Sequence, residues 1–511
     1  MSGSSIWLET ASVPRGEPLL LGDDTEVCIV GAGIAGITAA YLLAGLGKRV
    51  ILLEAQDAPG LAETGHTTGH LSCVLDDRLS EVERIHGTAR LQTAVQSHRE
   101  AISWIERTVL AEQIDCDFQR VPGYLFLGPT DSPRLLEREQ AAAQRIGLAC
   151  EWLDALPFAT PALTPCLRFA DQAQFHVTRY LSGLLLAAIR RGVRVYFSSP
   201  VQRIEGGSLP RVKTRNGVVV TARAIILTTH SPIHDVISLH TKQSAYTTYA
   251  LAVEVPPDTL PQGLYWDTAD PYHYVRQVRE GDREFMIVGG ADHKSGQFPE
   301  GSGWDTLERW GQTFLPVWGP VRHRWSGQVM ETMDGLAFIG PDPGGQANLY
   351  LVTGDSGMGL THGTLAGLIL QDQMRGRGHP WASLYDPSRT PLAALGTLIE
   401  ENVNVARQYL DWFTGSDVVS REQIPRGKGA VLRRGLCKVA IYHDEKGNWY
   451  ECSAVCPHLG CIVRWNEAES TWDCPCHGSR FSPTGKVIHG PAVGDLQRLA
   501  SPPEEQQPPL D

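Results

Sequence analysis

The chain has 511 residues, 42% hydrophobic and 20% charged, and a formal charge of −12. Its length exceeds what one hydrophobic core sustains, so two or three domains are expected. The acidic balance argues against a nucleic-acid partner and offers no attraction to an anionic membrane surface.

No apolar run approaches the roughly 20 residues that span a bilayer, so no integral membrane segment is expected. The first residues, Met1 to Trp7, lack a basic stretch followed by an apolar one, so no secretory signal is expected and the default location is cytoplasmic. Residues 1–23 read as an N-terminal extension. Glu26 to Val30 is a short apolar strand leading into Gly31-Ala32-Gly33-Ile34-Ala35-Gly36. An Ala/Leu-rich helix is predicted from Ile37 to Leu46, with Gly47 as its stop, and Arg49 to Leu53 is a second strand closed by Glu54. This opening implies a parallel sheet. The glycines permit a tight turn and close approach of a pyrophosphate to the helix N-terminus, and Glu54 stands where it can accept hydrogen bonds from a ribose. A glycine-rich turn alone can be purely structural; the strand–helix–strand context with Glu54 favours a dinucleotide.

Further along, β-rich runs at Tyr246–Val255, Tyr272–Val278 and Glu284–Val288 suit an antiparallel sheet inserted into the first domain. Gly363 to Met374 returns to helix. A connection rich in Pro and Gly precedes a helix predicted from Leu392 to Phe413. Its apolar stripe (Leu392, Leu395, Ile399, Val403, Ala406, Leu410 and Phe413) is expected to pack on a domain, with partner binding as the alternative. From Ile424 short strands and tight turns indicate a small all-β module, and Pro502 to Asp511 reads as a disordered tail.

Of the 11 cysteines, Cys28, Cys73, Cys116, Cys150 and Cys166 are scattered among apolar neighbours and read as buried thiols. Cys437, Cys452, Cys456, Cys461, Cys474 and Cys476 cluster near the C-terminus, which points to metal. The decisive pattern is Cys456-Pro457-His458-Leu459-Gly460-Cys461 with Cys474-Pro475-Cys476-His477-Gly478-Ser479. Zinc accepts two thiolates and two imidazoles as well, but this spacing is not finger-like.

Over residues 424–498 the chain resembles the Rieske family. The resemblance implies a [2Fe–2S] cluster with Cys456 and Cys474 on one iron and His458 and His477 on the other. It also implies a disulfide between Cys461 and Cys476. Neutral imidazoles in place of two thiolates raise the potential above that of an all-cysteine ferredoxin. High-potential members carry Tyr where this chain has Phe481, so one hydrogen bond to the cluster is missing and a lower potential is expected. Mononuclear oxygenases with a Rieske centre lack the Cys461–Cys476 type of pair, and no catalytic-iron domain is evident.

Over residues 24–375 the chain resembles the D-amino-acid-oxidase (DAO) superfamily of flavoproteins. Besides the opening motif, the resemblance rests on Thr64 to His70, Ala224 to Thr229, Met333 to Gly340 and Leu351 to Thr361. It implies FAD, with Thr67, Thr68, Gly69 and His70 along the isoalloxazine and Val201 near the adenine. It further implies that Thr229 belongs to the site and that Gly354, Ser356, Gly357, Met358 and Gly359 face the pyrimidine end. Taken one at a time, these glycines and threonines also suit turns and helix caps. In the inserted sheet, Tyr274 and Arg276 share a strand face and are candidates to clamp a substrate carboxylate, with cross-strand pairing as the plain alternative.

The expected architecture is α/β plus all-β. A Rossmann-like FAD domain (about 24–105, 165–235 and 325–375) carries an antiparallel substrate domain (about 106–164 and 236–324). A linker with a helix (376–420), a Rieske domain (421–500) and a tail (501–511) follow. The expected activity is a dehydrogenase that oxidises an amine or amino acid through FAD. It passes electrons singly to the cluster and on to a soluble carrier or quinone. Two alternatives stand beside it: electrons entering through the cluster to reduce FAD, and a Rieske module that senses redox state or is structural.

Overall fold

The structure, a computed structural model, describes residues 4–234, 237–298, 301–412 and 414–499. The tail from Pro502 and the Phe413 end of the predicted helix lie outside the described residues. By contact the chain divides into two units, residues 2–293 with 299–401, and residues 294–298 with 402–511.

The larger unit is built on a six-stranded sheet ordered Phe338–Pro341, Leu349–Thr353, Ala224–Leu227, Val27–Val30, Val50–Leu53 and Arg194–Tyr196. All neighbours are parallel except the first pair. Val27–Val30, Val50–Leu53 and Ala224–Leu227 are buried at every residue, as strands covered on both faces must be. The first helix runs Ile34–Gly45, one turn earlier than predicted, because Gly33 itself serves as the N-cap. It packs on the Gly359–Gln373 helix, where Gly363 and Gly367 let the backbones approach. A Cβ on Gly363 would lie 2.7 Å from Ile34 Cγ2, and one on Gly367 2.6 Å from Thr38 Cγ2.

The inserted β-rich runs join a nine-stranded sheet. Its order is Val321–Thr332, Gln243–Val255, Arg283–Lys294, His273–Glu280, Leu264–Asp267, Gln119–Phe126, Cys166–Gln174 and His70–Leu71, with Cys150–Leu153 paired to Cys166–Gln174. Pairing is mainly antiparallel; Leu264–Asp267 runs parallel to Gln119–Phe126. The N-terminal extension is part of this unit rather than an appendage. Ser5 caps a short helix, Ile6–Glu9, whose Ile6 and Trp7 are buried against Ala250, Ile287 and Trp325.

The apolar stripe of the predicted 392–413 helix does not pack inward. Leu392, Ile399 and Leu410 are 83%, 61% and 60% exposed, and Leu395 and Val403 are exposed too. The α-helix covers only Leu395–Gln408 and is flanked by 3-10 turns at Leu392–Ala394 and Tyr409–Trp412. Polar anchors decide its rotation: Ser244 Oγ donates to Glu401 at 2.6 Å, and Gln297 Nε2 donates to Asn404 at 2.7 Å. Half-buried polar groups that find partners outweigh a stripe left on the surface.

The smaller unit holds two sheets. Lys428–Arg434, Cys437–His443 and Trp449–Ser453 form one, and Arg464–Asn466, Thr471–Asp473, Arg480–Phe481 and Val487–His489 the other. The loops Cys456–Cys461 and Cys474–Ser479 follow the Trp449–Ser453 and Thr471–Asp473 strands. Among the described residues, no helix is long and apolar enough to cross a membrane.

Candidate functional site

The glycine turn of the opening motif has no room for side chains. Gly31 sits at φ +107°, and a Cβ on Gly36 would lie 1.9 Å from Gly31 O. Thr228 Oγ1 donates to Val30 O or Gly31 O, each 2.9 Å away, tying the turn to the neighbouring strand. Glu54 accepts from the backbone N–H of Ala32 at 2.6 Å and of Gln56 at 2.8 Å, and burial pushes its carboxyl pKa up. Val201 opens the strand paired with Arg211–Thr214, and Thr229 Oγ1 donates to Ser231 O at 2.8 Å.

The segment Thr67–His70 is held by groups distant in sequence. Trp7 Nε1 donates to Thr67 O at 2.6 Å, and Trp325 Nε1 to His66 O at 2.8 Å. Arg276 Nη1 donates to Gly69 O at 2.6 Å, while Nη2 donates to Phe175 O at 3.2 Å. Burial lowers the Arg276 pKa to about 9 and holds His70 neutral, at about 3. His70 Nδ1 pairs with Thr68 Oγ1, and its Nε2 is buried with no hydrogen-bond partner. Tyr274 hydrogen-bonds Thr248 Oγ1 at 2.8 Å, so the two candidate clamp residues have separate polar partners.

The late glycine turn is equally tight. A Cβ on Gly354 would lie 2.3 Å from Thr332 Cγ2, and one on Gly357 2.2 Å from Asp76 Oδ2. Ser356 N donates to Met330 O, Ser356 Oγ accepts from Thr332 N, and Met358 caps the Gly359–Gln373 helix. The buried His98–His362 pair, 3.2 Å apart, continues to Asp355 O through His362 Nδ1.

The structure brings these two segments to one place, on either side of side chains that sequence reasoning missed. His70 stands edge-on to Tyr274 at 5.7 Å, and Tyr274 lies 5.2 Å from Tyr272. Tyr272 lies close enough to Asp76, and Thr248 to Asp292, to favour the ionised carboxylates. Desolvation raises both to about 7, helped at Asp76 by the charges of Asp292 and Asp355 and at Asp292 by that of Asp270. Glu331 is raised well above the usual carboxylate range for the same reasons. Asp292 follows the β-rich run Glu284–Val288, and Asp76-Asp77 interrupts an apolar stretch; nothing in one dimension linked them. The glycine cradle and the orphaned His70 Nε2 fit a flavin dinucleotide.

In the smaller unit the four expected iron ligands converge. The Cys456 and Cys474 thiols are within hydrogen-bonding reach of each other, which pulls Cys456 down and pushes Cys474 up. The His458 and His477 rings lie edge to face, 5.0 Å apart, and burial keeps His477 neutral, at about 4. Cys456 N donates to Cys461 O at 2.8 Å, Cys474 N donates to Ser479 O at 2.8 Å, and Cys461 is disulfide-bonded to Cys476. Two thiols and two imidazoles in facing loops fit a [2Fe–2S] centre of Rieske type.

Residues 26–373 match the family model described as FAD dependent oxidoreductase. The chain belongs to that family. Residues 415–500 of this oxidoreductase match the Rieske [2Fe-2S] domain, so the enzyme binds FAD in the larger unit and a [2Fe–2S] cluster in the smaller one. It is similar along nearly its whole length to a Bacillus subtilis protein, YhfW, named for a Rieske 2Fe-2S iron-sulfur centre. The two are 30% identical over 498 residues, covering 97% of each. The Escherichia coli gamma-glutamylputrescine oxidoreductase is 26% identical over 69% of this chain and 84% of its own. The crystal structure of glycine oxidase from Geobacillus kaustophilus shares the fold, with a TM-score of 0.61 and 20% identity over 72% of this chain and 99% of that one.

Proposed function

We propose that this oxidoreductase is an amine dehydrogenase whose electrons leave through the Rieske cluster to an external acceptor, a soluble carrier or a quinone. FAD supplies a two-electron acceptor and the cluster a one-electron carrier. The observation that carries the reading is that one chain assembles both donor sets, the glycine cradle at Gly31–Gly36 and the Cys456, His458, Cys474, His477 quartet. Relatives named for gamma-glutamylputrescine and for glycine support an amino compound as substrate.

The chain's own residues have defined tasks in this reading. Trp7, Trp325 and Arg276 fix the main chain of His66 to Gly69, so the flavin-facing surface is set before substrate arrives. Amine oxidation requires a neutral nitrogen, and Asp76 or Asp292, near 7, is matched to take the proton of an incoming ammonium. With Arg276 engaged by two main-chain carbonyls, the reading favours an amine over a substrate anchored by its carboxylate.

Anaerobic titration of the full-length protein with amines, followed by visible absorption and EPR, tests it. Flavin bleaching should be accompanied by reduction of the cluster. A flavin that bleaches while the cluster stays oxidised would overturn the route, and an external carrier that reduces FAD without substrate would reverse its direction.

A further inference from the structure

We propose that a strap from outside the Rieske module, Gly296 and Gln297 with Asn404, positions the iron-binding box Cys474–His477 and sets the potential of the cluster. By contact, residues 294–298 belong with the smaller unit. They lie far ahead of the Rieske match, which begins at residue 415, and continue directly from the Arg283–Lys294 strand. Gln297 N donates to Lys294 O at 3.0 Å, closing a turn that carries Ser295 and Gly296, both buried.

Gly296 shows how closely the strap is fitted. It sits at φ +73°, and a Cβ there would lie 2.7 Å from Pro475 N, 2.8 Å from Pro475 Cα and 3.0 Å from the Cys474 carbonyl carbon. Glycine is required twice, by its own backbone conformation and by a main chain that has no flexible end to move aside. Gln297 then aims its amide at the same box. Its Nε2 donates to Pro475 O at 3.2 Å and to Asn404 Oδ1 at 2.7 Å, and Asn404 Nδ2 returns a bond to Gln297 Oε1 at 3.3 Å. This reciprocal pair fixes which end of the Gln297 amide faces Pro475.

The other box is held in the same manner. Tyr409 donates from its hydroxyl to Leu459 O at 2.8 Å, and Trp412 Nε1 to Gly460 O at 3.0 Å. Arg464 Nη2 donates to Asp411 at 2.6 Å, tying down the turn that carries both. Tyr409 and Trp412 pack on the core that contains Cys456 and Cys474. Every one of these donors precedes residue 415, so none belongs to the matched module except Arg464. Pro475 follows the ligand Cys474 and Leu459 follows the ligand His458. A carbonyl oxygen without a donor leaves the negative end of its dipole uncompensated beside a centre that must gain an electron. A donor on it eases reduction, in the sense opposite to the loss at Phe481. Mere packing between segments would need no amide aimed at a carbonyl between two ligands.

The test uses full-length protein loaded with FAD and cluster. It needs no substrate, so its outcome is separate from that of the amine-oxidising reading. Mediated redox titration followed by EPR gives the cluster potential. Gln297→Leu keeps the bulk and removes the donor, and its potential should fall below that of the wild type. Gln297→Glu adds a negative charge at the same point and should fall further. Tyr409→Phe should lower the potential as well, and its shift should add to that of Gln297→Leu because the two act on different boxes. Release of iron to a chelator from the Gln297→Leu protein should be on the order of 10-fold faster. Gly296→Ala should release it faster still. An unchanged potential in Gln297→Leu, or a Gln297→Glu potential no lower than that of Gln297→Leu, would overturn the proposal. A Gly296→Ala protein that holds its cluster as the wild type does would overturn it too. The Gln297 variants leave the backbone intact, so they decide the matter even where Gly296→Ala does not fold.

Discussion

Replacing Asp292 by Asn should stabilise the protein, and the gain should depend on pH. The carboxyl rises from an ordinary 3.8 to about 7 in the folded protein because desolvation and the nearby charge of Asp270 outweigh the help of Thr248. At about 1.36 kcal/mol per pH unit, ionising it in the folded state costs about 4 kcal/mol; the residue is only partly buried, and solvent screening reduces this, so about 2–4 kcal/mol is expected. The sign follows from proton counts. Below about pH 4 the group is protonated whether folded or unfolded and the cost is absent. Between about 4 and 7 the folded state holds more protons than the unfolded, so stability falls as pH rises, and above 7 the full cost remains. Asn carries no charge to bury and retains the shape that accepts from Thr248. Wild type and Asp292→Asn should therefore melt together near pH 4 and diverge steadily to pH 8, with the variant higher, when unfolding is followed by release of flavin fluorescence. A difference that does not change with pH, or a variant less stable throughout, would refute the account of this carboxyl as ionised at a cost.

Two further outcomes follow from the cofactor sites. Phe481 is buried in the core that contains Cys456 and Cys474. Phe481→Tyr should raise the cluster potential in voltammetry by adding a donor that stabilises the reduced charge, and an unchanged or lowered value would contradict this. Trp7→Ala removes a buried ring, its bond to Thr67 O and its contact with the Arg276 guanidinium at 4.9 Å. A loss of about 3–5 kcal/mol is expected. It should appear as FAD depletion with the cluster spectrum intact, and full FAD content would refute it.

Much of the molecule was legible in one dimension because its signals are local. The glycine spacing at Gly31–Gly36 encodes a backbone approach in which a Cβ would strike a carbonyl 1.9 Å away, so only that spacing suits the turn. The Cys-x-His and Cys-x-Cys-His boxes place their ligands on two short loops, and runs such as Val27–Val30 announce strands with no exposed face. The Leu392–Leu410 stripe misled because periodicity reports only what a helix has available to bury. Hydrogen bonds through Glu401 and Asn404 chose the face it buries.

What the sequence determined by itself is the pair of cofactor sites, since each is written in residues a few positions apart. The tertiary structure alone decided which side chains gather beside the Thr67–His70 and Gly354–Gly359 segments. Asp76, Thr248, Tyr272, Asp292 and Glu331 come from separate strands and loops, and Trp7 reaches Thr67 from the N-terminal segment read from sequence as an extension. A carboxyl's chemistry depends on burial and on the charges within a few ångströms, and neither quantity exists until the sheet has brought distant residues together.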